Sequence, residues 1–147
     1  MLRDKNVSPL ESKEIFDGKL VVLFGLPGAF TPTCSAHHLP GFVEDFQKHR
    51  DLKVDTIACV SVNDAYVMAA WEKDQKAEGK VLMLADGDAS FSIKMGLDYS
   101  TGPFGGVRCQ RFLALVQDGV IKHLAIDEDN KFEVSSSEAA LTFLATL

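Results

Sequence analysis

The apolar positions of the chain alternate between strand-length runs and helical spacings. Leu20-Val21-Val22-Leu23-Phe24 is an uninterrupted apolar run, which predicts a strand buried on both faces. It ends at Gly25-Leu26-Pro27-Gly28, and past Pro32 the residues Leu39, Phe42, Val43 and Phe46 fall at i, i+3, i+4 and i+7, one face of a helix. Thr31 to Cys34 therefore sits in the loop or first turn of that helix. Pro40 lies inside it and should kink it, because proline gives no N–H to the ladder. Val54 to Val62 predicts a second strand, and Asn63-Asp64 can cap a helix from about Ala65 to Lys76. Val81 to Ala85 is a third strand, closed by Asp86-Gly87-Asp88, and Ala89 to Met95 a short helix stopped by Gly96. Asp98 to Val107, with Gly102, Pro103, Gly105 and Gly106, reads as an irregular surface loop. Arg111 to Gln117 and Val120 to Ile126, joined by Asp118-Gly119, read as a hairpin. Ser135 to Glu138 has capping-box spacing and leads into a helix reaching Leu147, while Met1 to Lys19 is polar and irregular.

Parallel strands joined by helices, then a hairpin and a last helix, give the order β-α-β, α-β-α, β-β-α. That is the thioredoxin-like α/β fold, a central mixed sheet flanked by helices, and residues 1–147 are expected to form a single domain. With 46% hydrophobic and 24% charged residues, disordered and low-complexity classes are excluded. The net charge of −6, with no Lys/Arg block, argues against a nucleic-acid or anionic-membrane partner, since phosphate binding needs clustered cations. No apolar run approaches the roughly 18 residues of a spanning helix. Met1 to Ser12 is too polar for a signal peptide, so a cytoplasmic protein is expected, an organellar mature form being the other option. Trp71, Met68 and Phe46 read as core. Three cysteines, Cys34, Cys59 and Cys109, are an odd number, so a disulfide framework is not expected.

In open α/β sheets, sites form beyond the carboxyl ends of the strands, and Cys34 lies there, just past the first strand. A helix start offers unpaired amide N–H groups and partial positive charge, which favour a thiolate. An ordinary cysteine is only about 3% thiolate at pH 7, so such a field separates an inert thiol from a nucleophile. The junction Pro27-Gly28-Ala29-Phe30-Thr31-Pro32-Thr33-Cys34 has the spacing P-x-x-x-T-x-x-C. It resembles the active-site motif of the peroxiredoxins. With Leu39-Pro40-Gly41-Phe42 behind it, the string is similar to the type-5 (type II) subfamily of thiol peroxidases. Ser61-Val62-Asn63-Asp64, Lys76 to Val81, Leu84-Ala85-Asp86, Arg111-Phe112 and Val116 to Gly119 extend the similarity, which runs from about Phe16 to Ile126.

The resemblance implies a peroxidatic role for Cys34, cycling through a sulfenic acid as it reduces hydrogen peroxide and organic hydroperoxides. Thr31 would hydrogen-bond the thiolate and the peroxide, Pro27 would shield the sulfur from water, and Arg111 would hold the thiolate and the polarised O–O bond. Fixed donors that follow charge from sulfur to a departing oxygen lower that barrier. The resemblance also implies a homodimer, with Phe30, Phe104 and the Gly102 to Gly106 loop bordering the site and the dimer contact. It implies no metal, haem or nucleotide cofactor. His37 and His38 beside Cys34 make a C-x-x-H-H cluster with no fourth ligand in view, so His38 is expected to support the helix or line the entrance. Arg108 is left without a role.

The chain also departs from its relatives. Where some carry a resolving cysteine near the start of the last helix, it has Ser135, Ser136 and Ser137. Cys59, within Ile57-Ala58-Cys59-Val60, reads as a buried strand residue. Cys109 is two residues before Arg111 and on one strand would share its face, as a filler near the rim. The family usually has an extra strand hairpin at the start, which these first residues do not announce. An external thiol is therefore expected as reductant, glutathione with glutaredoxin or thioredoxin. A C-x-x-C oxidoreductase is disfavoured by Thr31 in the first cysteine's place. The non-enzymatic alternative is a thioredoxin-fold interaction or holdase module with a vestigial site.

Overall fold

The computed structural model describes residues 2–3, 8–128 and 131–147. The strands are β1 (Leu2–Arg3), β2 (Ser8–Pro9), β3 (Leu20–Gly25), β4 (Thr56–Ser61), β5 (Leu82–Ala85), β6 (Asp98–Ser100), β7 (Val107–Cys109), β8 (Phe112–Gln117) and β9 (Val120–Ile126). The helices are α1 (Ser12–Phe16), α2 (Leu39–Glu44), α3 (Phe46–Asp51), α4 (Ala65–Gln75), α5 (Ser90–Lys94) and α6 (Ser137–Leu144). The main sheet has the order β2-β1-β5-β4-β3-β8-β9. β3, β4 and β5 are parallel, and β1, β8 and β9 add antiparallel neighbours. This is the mixed sheet flanked by helices that the order of elements implies.

The continuous apolar run of β3 follows from burial on both faces. Val22 and Phe24 point into a core with Cys34, Leu39, Phe42, Trp71 and Leu144. Val21 and Leu23, of opposite parity, pack on the other face with Ile15, Ala58, Leu84, Leu97 and Cys109. Trp71 and Met68 are fully buried, and Phe46 is packed at the margin of the first core. β3 ends at Gly25, opposite Phe112, where a Cβ would run into the Phe112 ring. The chain can therefore leave the sheet only at a glycine, and the loop toward Cys34 starts there.

Four expectations are corrected. The N-terminal stretch is not irregular throughout: β1 and β2 form a short antiparallel pair and α1 follows, while residues 4–7 lie outside the described residues. The segment Asp98 to Val107 is not an irregular loop, because β6 and β7 pair antiparallel around a turn of 3₁₀ helix, Gly102–Phe104. The last helix is capped by Ser136, whose hydroxyl accepts from Ala139 N–H at 3.1 Å, and not by Ser135. Cys109 does not share a face with Arg111, since it ends β7 in the small sheet while Phe112 begins β8 in the large one. The hairpin of β8 and β9 forms as read, with Asp118 and Gly119 both at positive φ (47° and 78°), as a tight twisted turn requires.

Candidate active site

Pro32 opens the helix that carries Cys34, at a position where its missing N–H costs nothing. The next turn, Cys34–His38, is a π-helix closed by Leu39 N–H on the Cys34 carbonyl. Pro40 follows in the first turn of α2. With no N–H to give back, it lets the ladder above it widen by one residue. The wider turn directs both Cys34 and His38 inward, where both are fully buried.

The loop in front of Cys34 is tied down from the sheet side. Ala29 N–H donates to Asn63 Oδ1 at 3.0 Å, and Ser61 Oγ–H holds the same oxygen at 2.6 Å. Phe30 takes a left-handed backbone conformation (φ 64°), rare outside glycine and suited to a loop turned around a site. Trp71 Nε1–H reaches Ser35 Oγ at 3.0 Å from α4. Asp64 caps α4 as read, accepting from Val67 N–H at 2.8 Å. Arg108, for which the sequence suggested no role, clamps the loop from behind. It donates to the Gly105 and Val62 carbonyls at 3.0 and 2.9 Å and lies 3.5 Å from the Pro27 carbonyl. A Cβ at Gly105 would lie 2.6 Å from that guanidinium, so the glycine makes room for the clamp.

Arg111 reaches the cysteine from the strand side. Its Nη2–H donates to Cys34 Sγ at 3.3 Å and its Nη1–H to His38 Nδ1 at 2.9 Å. Thr31 Oγ1–H donates to the Gly28 carbonyl at 2.7 Å, leaving its oxygen lone pairs for another donor. Pro27, Thr31 and Arg111 line a cleft of about 470 Å³ with Tyr99, Thr101 and Phe104. Pro27 and Arg111 also border an adjoining polar recess of about 240 Å³ with Gln110, Asp127 and Lys131. Pro27, Thr31 and Arg111 thus share one cleft, and the buried Cys34 is linked to it by the Arg111 guanidinium. A guanidinium N–H aimed at that sulfur is placed to follow negative charge as it leaves it.

Of the two places expected for His38, support of the helix or a lining of the entrance, the structure departs from the second, since the imidazole is fully buried. Besides Arg111, it meets the Ser135 carbonyl through Nε2 at 2.9 Å. Both ring nitrogens are therefore occupied and none is free for a metal. Among the described residues, no group of three or more His, Cys, Asp or Glu could hold a metal ion. Cys34, Cys59 and Cys109 are buried free thiols. Burial, and then the nearby Cys34 and Cys109, push the Cys59 thiol well above its ordinary range, and burial pushes Cys109 up to about 12. Neither is a thiolate at neutral pH. Among the described residues, no helix is long and apolar enough to cross a membrane.

Residues 2–141 match the family model described as Redoxin. The chain belongs to the peroxiredoxins. It is 48% identical over 130 residues to Peroxiredoxin-2E, chloroplastic, of Arabidopsis thaliana, covering 86% of this chain and 56% of that protein. It is 40% identical over 138 residues to Hybrid peroxiredoxin hyPrx5 of Haemophilus influenzae, covering 91% of this chain and 57% of that one, which fits the type-5 subfamily. The chain thus spans little more than half the length of either relative. Among solved structures, reduced Prx3 from Vibrio vulnificus in complex with hydrogen peroxide superposes with a TM-score of 0.95 at 46% identity, over 98% of this chain and 89% of that one. The fold of this peroxiredoxin is accordingly the thioredoxin-like one.

Two buried imidazoles give the fold an acid-sensitive window. Burial, reinforced at His38 by Arg111, lowers His38 to about 3 against the opposing pull of the Ser135 carbonyl and Asp127. Burial lowers His49 to about 4 against the pull of Asp45. Both start from 6.5 in the unfolded chain, which therefore binds more protons than the folded one between pH 6.5 and about 4. Stability should fall as pH drops through that window, by about 1.4 kcal/mol per pH unit for each histidine. Thermal denaturation across the window checks this, with a lower Tm at the acid end expected and an unchanged Tm contradicting it.

Proposed function

We propose that this protein is a thiol-dependent peroxidase. Cys34 attacks the terminal oxygen of hydrogen peroxide or an organic hydroperoxide, and the O–O bond breaks. The sulfur becomes a sulfenic acid and water or an alcohol departs. The observation that carries the reading is the Arg111 Nη2–H on Cys34 Sγ at 3.3 Å, beside the cleft lined by Pro27 and Thr31. The similarity to Prx3 in complex with hydrogen peroxide supports the same substrate. Consumption of peroxide in the presence of a small thiol tests it: catalytic loss of peroxide is expected, and none would leave the interaction or holdase module in its place.

The sulfenic acid is re-reduced from outside the chain. Cys59 and Cys109 are fully buried, on opposite faces of the sheet, and the start of α6 offers only serines. Glutathione with glutaredoxin is the preferred reductant, because a small thiol can enter a narrow cleft, and thioredoxin is the other. Non-reducing peptide mapping after one equivalent of peroxide with glutathione should show a glutathione adduct on Cys34. A Cys34–Cys59 or Cys34–Cys109 disulfide as main product would contradict external resolution and leave the peroxidase reading standing. The protein works as a homodimer in this reading. Phe30 and Phe104, 52% and 69% exposed, the latter lining the cleft, are the aromatic surface that supports it.

A further inference from the structure

The hydrogen bonds around Arg111 close on themselves. Its guanidinium donates to His38 Nδ1 at 2.9 Å, and His38 Nε2–H donates to the Ser135 carbonyl at 2.9 Å. The Ser135 hydroxyl donates to Asp127 Oδ2. Asp127 N–H donates back to the Arg111 carbonyl at 2.9 Å. Asp127 Oδ1 also accepts from Glu133 and Val134 N–H, both at 2.9 Å, which pins the stretch leading to Ser135. Burial works against the Asp127 charge, but these bonds outweigh it and hold the carboxyl below its ordinary range. Phe132 packs on the imidazole at 5.0 Å between centroids and lies under the guanidinium at 5.8 Å. The backbone and the charged end of one arginine are thus fixed by the same ring of contacts.

An arginine side chain has many rotamers, and aiming one N–H at a buried sulfur requires that the others be held. His38 is the only member of the ring that touches the guanidinium through a side-chain acceptor, and its tautomer follows from its partners: the Ser135 carbonyl takes the Nε2 proton, so Nδ1 keeps its lone pair for Arg111. We propose that His38 is a positioning residue that aims Arg111 at Cys34 and takes no part in the reaction itself. Its place four residues after Cys34, across the π turn, ties the helix carrying the sulfur to the strand carrying the guanidinium.

The inference rests on the peroxidase reading, and its test separates the two. Oxidation of Cys34 by peroxide is followed in stopped flow for the parent and for His38→Leu, His38→Gln and Arg111→Ala, the last also combined with His38→Leu. His38→Leu should oxidise about tenfold or more slowly, while His38→Gln, whose carboxamide offers both an acceptor and a donor, should recover to within about threefold of the parent. In the Arg111→Ala background, His38→Leu should change the rate by less than about twofold, because the group it positions is gone. A merely structural histidine would slow both backgrounds alike, and that additive result overturns the inference, as does a parental rate for His38→Leu. If His38→Leu does not fold, His38→Phe, which keeps the ring shape and offers Arg111 no side-chain acceptor, takes its place with the same expectations. A parent whose Cys34 does not react fails the peroxidase reading instead.

Discussion

Replacing Cys34 with Ser should abolish peroxide turnover, whereas Cys59→Ser and Cys109→Ser should keep the fast oxidation step. A serine hydroxyl cannot store the transferred oxygen as a sulfenic acid, so the first half of the cycle has no acceptor. The two remaining thiols cannot substitute. Both are fully buried and held as thiols by that burial, and neither receives a hydrogen bond from Arg111. Cys109 Sγ–H meets the Gln110 carbonyl at 3.2 Å, and its other hydrogen-bonding neighbour is the Ser92 side chain. Turnover retained in the Cys34 variant would refute this assignment.

Arg111→Ala should slow oxidation of Cys34 by at least about 10²-fold, the equivalent of about 3 kcal/mol of transition-state stabilisation, as expected for losing a charged, preorganised donor. The guanidinium is already within 3.3 Å of the sulfur, so no reorganisation accompanies the movement of charge. Thr31→Val should cost less. Its hydroxyl proton is committed to the Gly28 carbonyl, so what it offers the reacting atoms is a lone pair. If both variants react at the parental rate in stopped flow, the assignment of the site is wrong.

The parts of the fold legible in the sequence were those set by local chemistry. β3 and β4 follow from apolar runs, α4 from its Asp64 cap, and the last hairpin from Asp118-Gly119. What stayed hidden depends on residues far apart in the chain. Ser135 fits a cap by spacing, yet its hydroxyl is taken by Asp127, and the cap passes to Ser136. β6 and β7 lie in a Gly- and Pro-rich stretch with no apolar alternation, so their pairing leaves no periodic signal. The face shared by positions i and i+2 fails at Cys109 and Arg111 because the chain changes sheets between them. Of the site, the motif marked Pro27, Thr31 and Cys34, and Arg111 came from resemblance. The support behind them, Arg108 across to Val62 and His38 across to Ser135, crosses 46 and 97 residues and has no local spacing to betray it.

The most direct test of the account is the intact mass of the protein, with all three cysteines reduced, after one equivalent of hydrogen peroxide and no added thiol. Addition of one oxygen, mapped to Cys34 by peptide analysis, is the result expected. An unchanged mass, or oxygen carried on Cys59 or Cys109 in place of Cys34, would contradict it.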